Sequence, residues 1–355
     1  MTAKRVLICD DSALIRQLLS EILGADPGLE VVGVAADANI ARQMIKSLQP
    51  DVMTLDVEMP GMDGITFLRN IMRLRPMPVV MVSTLTERGA EITLEALSIG
   101  AVDCVAKPKT DVTNSLHNYA SEICEIVNVA AGAKVSAKSA ALAARAASHV
   151  TEFHTISSGQ IKQIIAIGAS TGGTEAINEV LRAMPSNSPP VLITQHIPEG
   201  FSKTFAKRLD LASKLTVCEA EHQQPLKIGH AYVAPGDQHL RLEKTTGGYV
   251  ISLDDGPKVN RHRPSVGVMF DSIVEQFNGT FVAALLTGMG NDGAQELLKV
   301  RESGGLTIAQ NEATSVVWGM PGRAVELGAV KQVLPISKIA LALMRGFDPS
   351  CKMGT

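Results

Sequence analysis

The chain has 355 residues, 45% of them hydrophobic and 19% charged, with a formal net charge of −3. That length favours two domains, because single cores stop growing near ~250–300 residues. The weak negative charge gives no electrostatic case for nucleic acid or an anionic membrane surface, and only 3% aromatic residues argues against a surface for stacking bases or sugars.

Residues 5–9 predict a short apolar strand, with Asp10-Asp11-Ser12 where it ends. Leu14, Ile15, Leu18, Leu19 and Ile22 carry helical spacing over 14–23. A second strand (30–34) and helix (38–48) follow, then a third strand (51–55) ended by Asp56-Val57-Glu58-Met59-Pro60-Gly61. Strands at 79–82 and 102–105 lead into Ser83-Thr84 and Lys107-Pro108, and a helix over 115–129 closes the region. Strands and helices alternating at this spacing predict a doubly wound parallel sheet. Asp10, Asp11 and Asp56 would then share its carboxyl edge. Three carboxylates there repel unless a hard divalent cation neutralises them, and an oxygen-only donor set suits Mg²⁺. Lys107 adds a point positive charge and Ser83 a hydroxyl. The set suits a phosphoryl group carried on a carboxylate, with Asp56 as the nucleophile. A single strand-end Asp is more often a solvated turn residue, but five positions at the right strand ends are poorly explained in that way.

These residues closely resemble the receiver domain of bacterial response regulators. The likeness rests on the Asp-Asp pair, D-V-E-M-P-G-M-D-G after the third strand, the Ser after the fourth and K-P after the fifth, over about residues 4–125. It implies a flavodoxin-like receiver domain over 1–128 with Asp56 as the phosphorylation site. Mg²⁺ would be held by Asp10, Asp11, Asp56 and the carbonyl of Glu58 or Val57. Glu58 is preferred because the family's third ligand lies two residues after the phospho-Asp. Ser83 and Lys107 would contact the phosphoryl group. Three positions before the Lys, where the family often has an aromatic switch residue, this chain has Cys104.

Residues 130–147 hold ten alanines among eighteen positions, with Lys134, Lys138 and Arg145. Such a segment cannot bury enough to fold alone and predicts a partly helical linker over 129–159.

The apolar run Ile164-Ile165-Ala166-Ile167 then ends in Gly168-Ala169-Ser170-Thr171-Gly172-Gly173, and a helix over 174–184 follows. A buried strand feeding a tight turn and a helix presents a side chain at a sheet's carboxyl edge. G-x-S-x-G also fits this turn, although glycine-rich turns of this kind more often cradle a phosphate or merely turn. A strand at 190–194 leads to Gln195-His196-Ile197-Pro198, and a helix over 200–211 to a short strand at 215–218. Three pieces at 231–234, 239–243 and 249–253 predict an antiparallel insertion. A helix over 265–277 precedes a buried strand (281–287) ended by Gly288-Met289-Gly290-Asn291-Asp292-Gly293. A helix from 294, a strand at 306–309 and a terminal helix over 337–344 complete the chain.

Ser170, His196 and Asp292 thus each lie just past an apolar strand, and a parallel sheet gathers them on one edge. A Ser hydroxyl needs a base within reach, and the imidazole needs an acid to fix its tautomer. Backbone N–H groups in Gly-Met-Gly-Asn, or at the helix start after Ser170 (Thr171), are placed to stabilise an oxyanion. An α/β-hydrolase would run Ser, acid, His, but no His follows Asp292. His239 or His262 would serve only with Asp210, Asp237 or Asp254 as the acid, and those positions end no buried parallel strand. A dinucleotide fold is disfavoured, since G-x-x-x-G-G is not G-x-G-x-x-G.

I-G-A-S-T-G-G, Q-H-I-P, H-R-P-S-V and T-G-M-G-N-D-G-A resemble the effector domain of the chemotaxis protein-glutamate methylesterases, over about residues 160–348. The resemblance implies a Rossmann-like catalytic domain over 160–350 with Ser170 as nucleophile, His196 as base, Asp292 as its orienting acid and the Met289 amide as oxyanion donor. After H-R-P-S-V the family usually has an acidic residue, where this chain has Gly267. The implied function is removal of methyl groups from glutamate esters, and deamidation of glutamines, on methyl-accepting chemotaxis receptors. A chemotaxis histidine kinase would be the phosphodonor, and the esterase chemistry needs no cofactor. The alternatives are a non-catalytic partner-binding effector domain or service in a non-flagellar chemosensory pathway. No window approaches the ~18 apolar residues of a membrane span. The five cysteines show no C-x-x-C or metal spacing, so a cytoplasmic protein with reduced thiols is expected.

Overall fold

The computed structural model describes residues 2–84, 86–107, 113–133, 135 and 161–347. The chain divides into two compact units, Met1–Ala144 and Arg145–Thr355. The linker expected over 129–159 lies, beyond its first few residues, outside the described residues.

The first unit is a parallel sheet of β1 (Lys4–Cys9), β2 (Leu29–Ala35), β3 (Val52–Asp56), β4 (Val79–Ser83) and β5 (Asp103–Ala106), in the order β2-β1-β3-β4-β5. Helices α1 (Ala13–Gly24), α2 (Ala38–Leu48), α3 (Gly64–Leu74), α4 (Glu87–Ile99) and α5 (Thr113–Ala130) connect and cover it. Val6, Leu7, Ile8, Val52, Met53, Leu55, Val79, Val80 and Met81 are fully buried. Burial on both faces is why these strands read as continuous apolar runs rather than alternating ones. Since β2 and β3 flank β1 on opposite sides, the strand order reverses beside β1, and a ligand crevice is expected past the carboxyl ends there.

The second unit holds a seven-stranded parallel sheet, ordered β14-β13-β12-β6-β7-β9-β8. Its strands are β6 (Gln163–Ala169), β7 (Val191–Gln195), β8 (Thr216–Glu219), β9 (His230–Val233), β12 (Thr280–Leu285), β13 (Leu306–Gln310) and β14 (Gln332–Leu334). The helices around it are α6 (Gly173–Ala183), α7 (Ser202–Ala212), α8 (Val266–Gln276), α9 (Ala294–Glu302), α10 (Met320–Glu326) and α11 (Ile336–Arg345). The antiparallel insertion is smaller than the sequence predicts. Of the three pieces, the last two, β10 (His239–Thr245) and β11 (Gly248–Asp254), form an antiparallel hairpin. The piece at 231–234 instead joins the main sheet as β9, parallel to both β7 and β8. Its buried run Ala231-Tyr232-Val233-Ala234 explains that placement, since no face of it is polar enough for a solvated hairpin.

Candidate active site and phosphoacceptor cluster

β12, β6 and β7 are neighbours in the second sheet, so the segments leaving their carboxyl ends converge. Ser170 directly follows β6. Its amide donates to the Thr287 carbonyl at 3.0 Å, and its own carbonyl accepts from the Gly173 amide at 2.7 Å. The chain thereby reverses at once into α6. Gly172 has φ +74°, where a Cβ would also lie 2.6 Å from the Val316 side chain, so only glycine fits this elbow.

The Ser170 hydroxyl faces His196, with Oγ 3.1 Å from Nδ1. The opposite ring nitrogen, Nε2, lies 2.8 Å from Asp292 Oδ2. With Nε2–H donated to the carboxylate, Nδ1 is left as the acceptor for the serine proton. Asp292 is 1% exposed. Its Oδ1 accepts from Ser265 Oγ (2.7 Å), Asn260 Nδ2 (3.0 Å) and the Gly267 amide (3.3 Å), and its Oδ2 also accepts from the Val266 amide (2.6 Å). Burial alone would raise its pKa. The bonds from His196, Asn260 and Ser265 outweigh that and hold it well below the usual carboxylate range. Val266 and Gly267 open α8, so a helix N-terminus faces this charge.

The two expected oxyanion donors belong to segments that border Ser170. Thr171 follows it, and its carbonyl accepts from Thr287 Oγ1 at 2.9 Å. Met289 follows Gly288, on which a Cβ would lie 2.8 Å from Ser170 Cβ, a measure of how closely this strand end approaches.

In the first unit, Asp10 and Asp56 are each 1% exposed. Lys107 Nζ bridges them, 3.1 Å from Asp10 Oδ2 and 2.8 Å from Asp56 Oδ2. Asp11 joins them: one carboxylate oxygen from each of the three lies within 4.8 Å of the others. Oδ1 of Asp10 accepts from the Ser12 amide at 2.8 Å, and Oδ1 of Asp56 from the Glu58 amide at 3.2 Å. Burial pushes Asp56 up to about 6, with Asp10 adding to the rise and Lys107 opposing it. Ser83 closes β4, beside Asp56 through the Asp56–Val82 register. Oδ2 of both buried acids lacks a hydrogen-bond donor apart from the lysine, an oxygen-rich pocket that fits a hard cation. The Val57 carbonyl already accepts from the Gly64 amide at 3.1 Å, which favours Glu58 as the backbone ligand.

A family model described as "CheB methylesterase" matches residues 165–343, and one described as "Response regulator receiver domain" matches residues 6–121. A curated relative from Saccharophagus degradans, named protein-glutamate methylesterase/protein-glutamine glutaminase 2, is 54% identical over 96% of this chain and 98% of its own length. The chain belongs to the CheB family. A second CheB-family relative, from Hydrogenovibrio crunogenus, is 50% identical over 96% of this chain and 97% of its own length. The crystal structure of the Thermotoga maritima CheB methylesterase catalytic domain aligns with a TM-score of 0.50 at 42% identity, covering 51% of this chain and 97% of that one.

Around Ser170, His196 and Asp292 the structure adds further residues. The His262 ring stacks on His196 with centroids 3.7 Å apart and planes 11° from parallel. Burial, and next the neighbouring His196, push His262 down to about 3. Asn260 and Ser265 are further additions, through their bonds to Asp292. H-R-P-S-V was the available signal for His262 and Ser265, although the motif alone shows nothing of the stack. The competing assignments have other partners: His239 contacts the Pro257 carbonyl and the Ser265 amide, Asp237 binds Arg263, Asp254 binds Arg241, and Asp210 accepts from the Val217 amide.

Proposed function

We propose that this chain is a serine hydrolase that demethylates glutamate methyl esters and deamidates particular glutamines on chemotaxis receptors, under control of phosphorylation at Asp56. The observation that carries the hydrolase is the Ser170–His196–Asp292 chain, with steps of 3.1 and 2.8 Å. Ser170 Oγ attacks the γ-carbonyl carbon while Nδ1 of His196 takes its proton. Asp292 holds Nε2–H and stabilises the imidazolium. The amides of Met289 and Thr171 receive the developing oxyanion. Collapse of the tetrahedral intermediate expels methanol, or ammonia from a glutamine, with the proton returned by Nδ1. Water then attacks the acyl-enzyme with His196 again as base, freeing Ser170 and a glutamate carboxylate.

In the receiver, Asp56 accepts a phosphoryl group from a chemotaxis histidine kinase, and Ser83 and Lys107 contact its oxygens. Asp10, Asp11, Asp56 and the Glu58 carbonyl would hold Mg²⁺, which supplies charge neutralisation at that group. Methanol release from methylated receptor membranes tests the hydrolase directly. Ser170→Ala is expected to reduce kcat by at least about 10³-fold. Release that survives the substitution removes the assignment and leaves a partner-binding effector domain in its place.

A further inference from the structure

Gln195, the last residue of β7, is 3% exposed. Its Nε2 donates to two carbonyls, those of Ser170 and His196, each at 2.9 Å. Two acceptors at one end of the amide identify that end as the NH₂ group. The other end is different in kind. Oε1 is buried with no hydrogen-bond partner and rests against Gly173, where a Cβ would overlap it. A buried acceptor left unpaired opposes folding, so an apolar side chain of equal length would serve packing at least as well. What only the amide supplies is its donor half, and both of its acceptors belong to residues of the triad.

We propose that Gln195 is a positioning residue for the hydrolase. Its NH₂ group ties the backbone of the nucleophile to the backbone of the base and holds Ser170 Oγ and His196 Nδ1 at bonding distance. Between β6 and β7 the His196 amide also donates to the Ala169 carbonyl at 3.1 Å. That bond aligns the strands but leaves Ser170, which has already turned toward α6, to be fixed by other means. The bare face of Gly173 is what allows the Gln195 side chain to reach back under the elbow. Misplacing reacting groups by about 1 Å costs on the order of 10²-fold in rate, so a tie at this point acts on kcat rather than on substrate affinity.

This inference rests on Ser170 being the nucleophile, and the test separates the two claims. In the full-length protein, Gln195→Met keeps the length of the side chain and removes the donor. The expected result is a fall in kcat for methanol release of about 10- to 100-fold with KM little changed. Labelling of Ser170 by a small fluorophosphonate should slow in parallel, while Tm stays within about 4 °C of the parent. Parent-like kcat and labelling, or a loss that only tracks the unfolded fraction, overturns the role of Gln195. If the Met variant does not fold, Gln195→Asn carries the test: it retains the amide on an arm too short to span both carbonyls. The same loss supports the inference and a parent-like rate overturns it. Should the parent itself release no methanol, or Ser170→Ala take the label equally, the failure belongs to the hydrolase reading instead.

Discussion

At the scale of single residues, the site depends on one imidazole being kept neutral beside another that must take a proton. His262 lies face to face with His196, and burial together with that neighbour holds its pKa at about 3. A histidine depressed in the folded state contributes stability that is complete above its unfolded pKa, near ~6.5. That contribution is lost as pH falls from there toward about 3. His262→Phe keeps a stacking ring and cannot titrate, so the variant should lose less stability than the parent between pH 7 and pH 4. The expected difference is about 3 kcal/mol, or roughly 6–12 °C in Tm. Trp318, the single tryptophan of the chain, lies in the second unit and reports its unfolding by fluorescence. Identical acid limbs for the two proteins would contradict this account. The neighbours differ in how visible they are in the sequence. Ser170, His196 and Asp292 stand out because each follows an apolar strand, and parallel strands bring their ends to one edge. Asn260 and His262 arrive from an irregular segment, and nothing local to residues 257–264 says that it folds back over the triad.

At the scale of elements, the junction of α8 with α9 shows how a departure from family pattern is absorbed. A Cβ on Gly267 would lie 2.8 Å from Glu296 Oε2, so the Glu296 side chain already occupies the space into which a residue at 267 would project. Burial raises the pKa of Glu296, with Asp271 and Asp292 adding to the rise. The acidic residue that the resemblance implies at this position would therefore meet both steric crowding and a like charge. Gly267→Asp is expected to cost about 2 kcal/mol, measured by urea unfolding followed at Trp318. Combining it with Glu296→Ala should recover at least about 1 kcal/mol, because residues in contact do not behave additively. Strictly additive single effects would mean that the two positions do not compete. Gly267 was legible as an anomaly, but its explanation lies in Glu296, 29 residues further along the chain. The same limit applied to β9. Its apolar run identified a strand, while its partners, β7 and β8, depend on long connections that local patterning does not specify.

At the scale of the whole molecule, the two chemistries reside in separate compact units, with Asp56 in Met1–Ala144 and Ser170 in Arg145–Thr355. A phosphoryl group on Asp56, as proposed, would act on the esterase by shifting the populations of states of the full chain, and the shift is limited by its differential interaction with those states. Coupling of about 1–3 kcal/mol corresponds to roughly 5- to 150-fold activation. Three proteins resolve the question: the parent, Asp56→Asn, and a fragment beginning near Gln160. With a small acyl phosphate and Mg²⁺ present, methanol release by the parent should rise within that range. Asp56→Asn should keep the basal rate and lose the response, since it removes the phosphoacceptor and changes no residue of the second unit. The fragment should be indifferent to the phosphodonor, and a rate above the parent's basal rate would identify the unphosphorylated receiver as an inhibitor. A fragment at the basal rate, beside a parent that still responds, would make the receiver an activator. Equal rates throughout, with and without phosphodonor, would remove regulation by Asp56 while leaving the Ser170 chemistry standing.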